Sequence, residues 1–245
     1  MIFKEIGGRI WAVWALLAFV VTMLIFIIPF LLFCYAAPEP KKTLRFIRYS
    51  RVWMAAYLVL IGCPLTVRGR KNFAPGKNYI VLCNHNSLMD IPVSSPAIPG
   101  GNKTIAKAEM AKTPLFGMLY RTGSVLVDRN SDTSRKDSYT KMKNVLSMGL
   151  HMCIYPEGTR NKTNQPLKSF HSGAFRLALE TNTSIIPGII FHTKKVLPAN
   201  KVFFVAPHSL RIDFLEPIPI QNDDTPESLK TRVFGIMEAY YSANI

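Results

Sequence analysis

From Ile10 to Pro38 the chain carries no charged residue, and the run through Trp11, Val13, Leu16, Leu17, Phe19, Val20, Val21 and on to Leu32 is apolar on every face of a helix. At 1.5 Å per residue such a helix outruns a hydrocarbon layer roughly 30 Å thick, so it must tilt, kink or fold back. Pro29 marks the place for a kink. A cleaved leader is the competing reading, with Lys4 and Arg9 as its charged start and Ala36-Ala37 as its small residues. The apolar run is roughly twice a leader's hydrophobic region, which disfavours it. Lys41, Lys42, Arg45, Arg48 and Arg51 follow the run, and this excess places the C-terminal body on the cytoplasmic side. A helical hairpin with both flanks on that side is equally compatible. Val52 to Leu65 is too short to span and reads as an interfacial or buried helix. The expected organisation is a membrane-anchoring segment over 1–65 and one folded body over 66–245, at the inner membrane if the cell is bacterial.

A chain of 245 residues has room for one sizeable core beside such a segment. Its formal charge of +15 calls for an anionic partner: nucleic acid, an acidic carrier protein or phospholipid headgroups. The apolar end of the chain selects an anionic membrane surface over nucleic acid. Cys34, Cys63, Cys83 and Cys153 sit in apolar stretches without metal-like spacing and read as buried small hydrophobes.

After Leu65 short apolar runs rich in branched residues alternate with amphipathic stretches. Strands are predicted at Tyr79–Cys83, Ser124–Val127, His151–Tyr155, Ser184–Ile190, Val202–Val205 and Leu210–Phe214. Helices are predicted at Thr133–Gly149, at Gly173–Thr181 and from Pro226 onward, with Thr225 as N-cap. The alternation means an α/β fold: a mostly parallel central sheet flanked by helices, with an N-terminal membrane helix or hairpin. In such folds chemistry gathers where strand ends meet helix N-termini.

Two polar constellations stand at such places. Asn84-His85-Asn86-Ser87-Leu88-Met89-Asp90 follows the predicted strand ending at Cys83. On one regular helix His85 and Asp90 would point about 140° apart; a turn between strand and helix lets Asp90 accept one imidazole N–H and leave the other nitrogen as a general base. Ser87 to Asp90 is also a capping-box pattern, so Asp90 as a plain helix cap is the competing reading. Tyr155-Pro156-Glu157-Gly158-Thr159-Arg160 follows another apolar strand: Gly158 permits close backbone approach and Arg160 offers a planar fork for phosphate.

Together the blocks resemble the glycerolipid acyltransferases of the 1-acylglycerol-3-phosphate acyltransferase type. The Asn-His-x-x-x-x-Asp block is matched by Asn84, His85 and Asp90, and the Phe-Pro-Glu-Gly-Thr-Arg block by the run from Tyr155, with Tyr for Phe. Weaker matches are Gly123 to Arg129 and Ile185-Ile186-Pro187-Gly188-Ile189. Where the family often has Phe-Lys, this chain has Phe170-His171, and Lys168 is the candidate substitute.

The resemblance implies an acyltransferase body over 66–245 that acts without a covalent acyl-enzyme. A fatty acyl group passes from acyl-CoA or acyl carrier protein to the free sn-2 hydroxyl of 1-acylglycerol 3-phosphate, giving phosphatidic acid. Another lysolipid such as lyso-ornithine lipid, or glycerol 3-phosphate, is the alternative acceptor. His85 and Asp90 are the expected catalytic pair. Lys107, Arg129, Glu157, Gly158, Thr159 and Arg160 are expected to bind substrate, with backbone N–H groups around Gly158 as candidate oxyanion donors. No cofactor and no metal are expected. A hydrolase is disfavoured because no Gly-x-Ser-x-Gly elbow occurs. A non-catalytic lipid-binding module accounts for charge and anchor but not for a histidine matched to a carboxylate.

Overall fold

The computed structural model describes residues 2–128, 130–163 and 165–245. Two long helices come first: α1 (Ile2–Phe30), prolonged by a wider π-helical stretch at Leu31–Tyr35, and α2 (Lys41–Leu60). The widening follows Pro29, whose missing N–H interrupts the regular ladder. α1 and α2 form an antiparallel hairpin. Trp11 and Trp14 donate their indole N–H groups to the carbonyls of Ile61 and Leu60 (3.0 and 2.9 Å), Trp53 donates to the Thr22 hydroxyl (3.0 Å), and Arg45 closes the other end on the Phe33 carbonyl (2.8 Å). Ala12, Ala15 and Ala18 are buried at this seam, where small side chains let the helices approach. The outer face of α1, including Val13, Leu17, Val21, Leu24 and Ile28, is exposed. The second helix therefore begins at Lys41, eleven residues ahead of the predicted Val52, because its charged first half wraps the hairpin seam with Thr43, Ile47 and Ser50 buried.

The strands are β1 (Leu65–Arg68), β2 (Ile80–Cys83), β3 (Asn102–Lys107), β4 (Ser124–Val127), β5 (His151–Ile154), β6 (Ile185–Phe191) and β7 (Leu210–Phe214). They form one sheet in the order β1-β7-β6-β2-β5-β3-β4. β6, β2, β5, β3 and β4 are mutually parallel, whereas β7 meets β6 antiparallel and carries β1 alongside. The remaining helices are α3 (Asp90–Ala97), α4 (Phe116–Thr122), α5 (Asp132–Ser147), α6 (Gly173–Thr181), the single turn α7 (Thr193–Val196) and α8 (Pro226–Ala243). Thr225 and Ser228 cap α8 reciprocally as a capping box.

The central strands are buried on both faces, as in parallel sheets covered by helices. Val81, Cys83, Cys153 and Ile186 pack with α1, α2 and α3; Ile80, Leu82, Met152 and Ile185 pack with α5, α6 and α8. All four cysteines are buried free thiols. β1 and β3 escaped prediction because they mix polar with apolar residues. The predicted strand at Val202–Val205 is irregular chain: it finds no sheet edge and docks on α1 instead.

His151 lies at the opposite end of the sheet from the C-terminal ends of β2 and β5. Its ring is 6% exposed, stacks on Tyr79, and accepts the Tyr79 N–H at Nδ1 (3.0 Å). Burial lowers its pKa from 6.5 to about 4. The unfolded chain therefore takes up this proton first as the pH falls, and stability is lost between about pH 6.5 and 4, by roughly 3 kcal/mol. Urea unfolding in detergent micelles across that range checks this, with a shallower pH slope expected for His151→Asn.

Candidate active site

Three adjacent strands, β5, β2 and β6, end at the same edge of the sheet and deliver three loops to one place. The loop after β2 carries His85. Its Nδ1 donates to Asp90 Oδ2 at 2.8 Å, which leaves Nε2 to meet a substrate hydroxyl. The His85 side chain is 15% exposed and the Asp90 side chain is 0% exposed. The same Oδ2 accepts the backbone N–H groups of Asn86 (2.6 Å) and Ser87 (2.7 Å), so Asp90 caps the turn and orients the imidazole at once. Asn84 locks the loop to β6 by a reciprocal pair with Ile190, donating at 2.9 Å and accepting at 2.7 Å.

The loop after β5 grips His85 by its backbone. Glu157 Oε1 accepts the His85 N–H (2.8 Å) and Oε2 accepts the Lys168 N–H (3.1 Å), while the Asn161 N–H donates to the His85 carbonyl (2.6 Å). Glu157 is 1% exposed, and burial raises its carboxyl pKa. Each oxygen of this buried carboxylate accepts one backbone amide, so Glu157 ties the loop after β5 to the backbone of His85. Glu157→Ala strands two buried N–H groups, and we expect a stability loss of about 2–5 kcal/mol, read by chemical unfolding.

Gly158 lies at φ +71°, and a Cβ there would fall 2.7 Å from the His171 ring. Its N–H donates to the Tyr155 carbonyl (3.0 Å) and that of Thr159 to the Glu157 carbonyl (2.8 Å). Both amides are consumed inside the turn, which removes them as oxyanion donors. The Thr159 hydroxyl accepts from Lys168 Nζ (2.6 Å), which brings that ammonium to the loop after β5. Arg160 is half-buried. Lys107 ends β3 at the same sheet edge, but its ammonium is 60% exposed and stands 4.0 Å from Glu109. Arg129 falls outside the described residues. Among the described residues no group of three His, Cys, Asp or Glu side chains is arranged to hold a metal ion.

Three contributors were not singled out in the sequence for these roles. The Tyr155 ring covers His85 (centroids 4.5 Å apart), and its hydroxyl shares a 2.7 Å hydrogen bond with Ser94 of α3. Asn161 holds the His85 carbonyl. Lys194, in the turn after β6, donates to the Thr163 carbonyl (3.1 Å); burial lowers its ammonium pKa, and Glu157 and Asp90 oppose that shift. Only the strand order brings Lys194 to this edge. A lysine after an apolar strand carries no signal by itself.

The structure is an α/β sheet with a histidine hydrogen-bonded to a buried carboxylate at the end of a central parallel strand. The chain belongs to the Acyltransferase family, whose family model matches residues 64–191. It is 31% identical over 195 residues to a 1-acyl-sn-glycerol-3-phosphate acyltransferase of Cocos nucifera, covering 79% of this chain and 61% of that one. A 1-acyl-sn-glycerol-3-phosphate acyltransferase alpha of Homo sapiens is 27% identical over 172 residues, covering 68% and 60%. The chain thus spans about three fifths of the length of these relatives. A lyso-ornithine lipid O-acyltransferase of Pseudomonas aeruginosa is 28% identical over 196 residues, covering 74% and 73%. The fold is that of the 1-acyl-sn-glycerophosphate acyltransferase PlsC of Thermotoga maritima: the TM-score is 0.83 at 21% identity, covering 97% of this chain and 96% of that one.

Proposed function

We propose that this protein transfers a fatty acyl group from a thioester, acyl-CoA or acyl carrier protein, to the sn-2 hydroxyl of 1-acylglycerol 3-phosphate, giving phosphatidic acid. The observation that carries the reading is the 2.8 Å bond from His85 Nδ1 to the fully buried Asp90. His85 Nε2 takes the hydroxyl proton as the oxygen attacks the thioester carbonyl; the tetrahedral intermediate then expels the thiolate, which recovers the proton from the imidazolium. Asp90 stabilises that imidazolium and fixes the tautomer. In this reading Arg160, by its planar fork, and Lys168 receive the acceptor phosphate.

The relatives named above support a lysophosphatidate acceptor, and the Pseudomonas aeruginosa relative, matched over nearly three quarters of its length, supports lyso-ornithine lipid as the second reading. Cations beside Thr159 favour the phosphate-bearing acceptor. The test is an acceptor panel of lysophosphatidate, glycerol 3-phosphate and lyso-ornithine lipid, run with both donors. Fastest turnover on lysophosphatidate is expected; turnover on lyso-ornithine lipid alone overturns the assignment.

We further propose that residues 1–65 anchor the acyltransferase body at an anionic membrane surface, on the cytoplasmic side that Lys41, Lys42, Arg45 and Arg48 favour. α1 is long and apolar enough to cross a membrane by length and composition. Its packing along α2, which itself lies on α3 and β3, favours the hairpin lying in the interface with the outer face of α1 among acyl chains.

A further inference from the structure

The segment from Pro198 to Ala206 is a latch on the first turns of α1. The Val205 N–H donates to the Gly8 carbonyl (3.0 Å) and the Ala206 N–H to that of Val196 (2.9 Å). Lys201 pairs with Glu5, and its ammonium lies 4.2 Å from the centre of the Phe204 ring. That ring fills the notch over Gly8, where a Cβ would stand 2.0 Å from it. Phe204 and Val205 are thereby buried against the helix. The two residues at the tip point the other way: Val202 is 86% exposed and Phe203 49%. Phe203 also has φ +52°, a left-handed conformation unfavourable for an aromatic residue.

A strained turn that presents a valine and a phenylalanine to water gains nothing from either. Acyl chains offset both costs. The tip is fixed to the same turns of α1 on which Phe3, Ile6 and Ile10 stand exposed, and Lys4 and Arg9 supply positive charge at that level. Apolar side chains beside cations on stems long enough to reach headgroup phosphates are the composition of a bilayer-inserting element.

We propose that Val202-Phe203 is a second membrane-inserting element, with both side chains among the acyl chains of an anionic bilayer and Lys4 and Arg9 at its phosphates. This rests on the reading of α1 as an interfacial helix. It adds a second contact that fixes rotation about α1, and so the tilt of the body over the bilayer.

The test places a nitroxide on Val202→Cys in the full chain bound to vesicles of phosphatidylcholine and phosphatidylglycerol; the native thiols are buried. Labels on Val13→Cys, on the outer face of α1, and on Asp223→Cys, on an exposed loop, serve as references. At positions 202 and 13, relaxation is expected to respond to oxygen more than to a water-soluble nickel complex, with the reverse at 223. If 202 behaves as 223 while 13 reports lipid, the inference falls and the interfacial reading of α1 stands. If 13 also reports water, both fall. Phe203→Asp is expected to weaken vesicle binding on the order of tenfold, with turnover in detergent micelles unchanged. A dimer in solution that Phe203→Asp dissolves would assign the tip to a second copy of the chain and overturn the proposal.

Discussion

His85→Ala is expected to lower the turnover of acyl transfer by on the order of 10² to 10⁴, the range for loss of a positioned general base. The variant should keep its fold, because the Glu157 and Asn161 loop holds residue 85 by its backbone N–H and carbonyl and not by its ring. Removal of the ring does leave one face of Tyr155 uncovered and frees one lone pair of Asp90 Oδ2. That oxygen retains the Asn86 and Ser87 amides, so the turn it closes stays in place. Turnover with saturating acceptor and donor, set beside a melting curve and a vesicle-binding assay, separates chemistry from folding and anchoring. Near-normal turnover in a folded variant removes His85 from the chemistry and brings forward the lipid-binding module.

Asp90→Asn is expected to cost nearly as much in turnover, by a different route. The amide oxygen of asparagine can still accept from Asn86 and Ser87, so the turn survives. What is lost is the negative charge: the same amide oxygen still faces Nδ1, but as a neutral and weaker acceptor it holds the Nδ1–H tautomer less firmly. The developing imidazolium also loses its counter-charge in a buried setting. We expect a loss on the order of 10² to 10⁴ in turnover, with little change in the KM of either substrate. Asp90→Ala should lose stability as well, since it strands two buried amides. A variant at position 90 that shifts only KM would place the residue in substrate binding.

Much of this site was written locally. A strand, a turn and a helix start between Cys83 and Asp90 bring His85 and Asp90 together within five residues, and the bonds of Asn84, Glu157 and Asn161 then hold that loop in place. The spacing of Glu157 from Tyr155 says that it leaves a strand end, but only the packing of β5 beside β2 brings it to the His85 amide. The turn amides at Gly158 and Thr159 fail as oxyanion donors for the same kind of reason, because the fate of a backbone N–H is decided by the turn it closes. Tyr155 was visible as a departure from the Phe of the family block. Its hydroxyl found Ser94 because α3 lies across that end of the sheet.

By itself the sequence determined the α/β alternation, the apolar N-terminal segment, the cationic balance and the histidine with its carboxylate, since each follows from composition or from neighbours a few residues apart. The tertiary structure decided what depends on contacts between distant segments: the order of the strands, the antiparallel β7, the hairpin of α1 on α2, and the conversion of an apparent strand at Val202–Val205 into a latch on Gly8. The physical reason is range. Capping and periodicity are set by energies between residues close along the chain, whereas the partner of a strand edge, a buried carboxylate or an apolar tip is chosen by whichever surface the whole fold brings within reach.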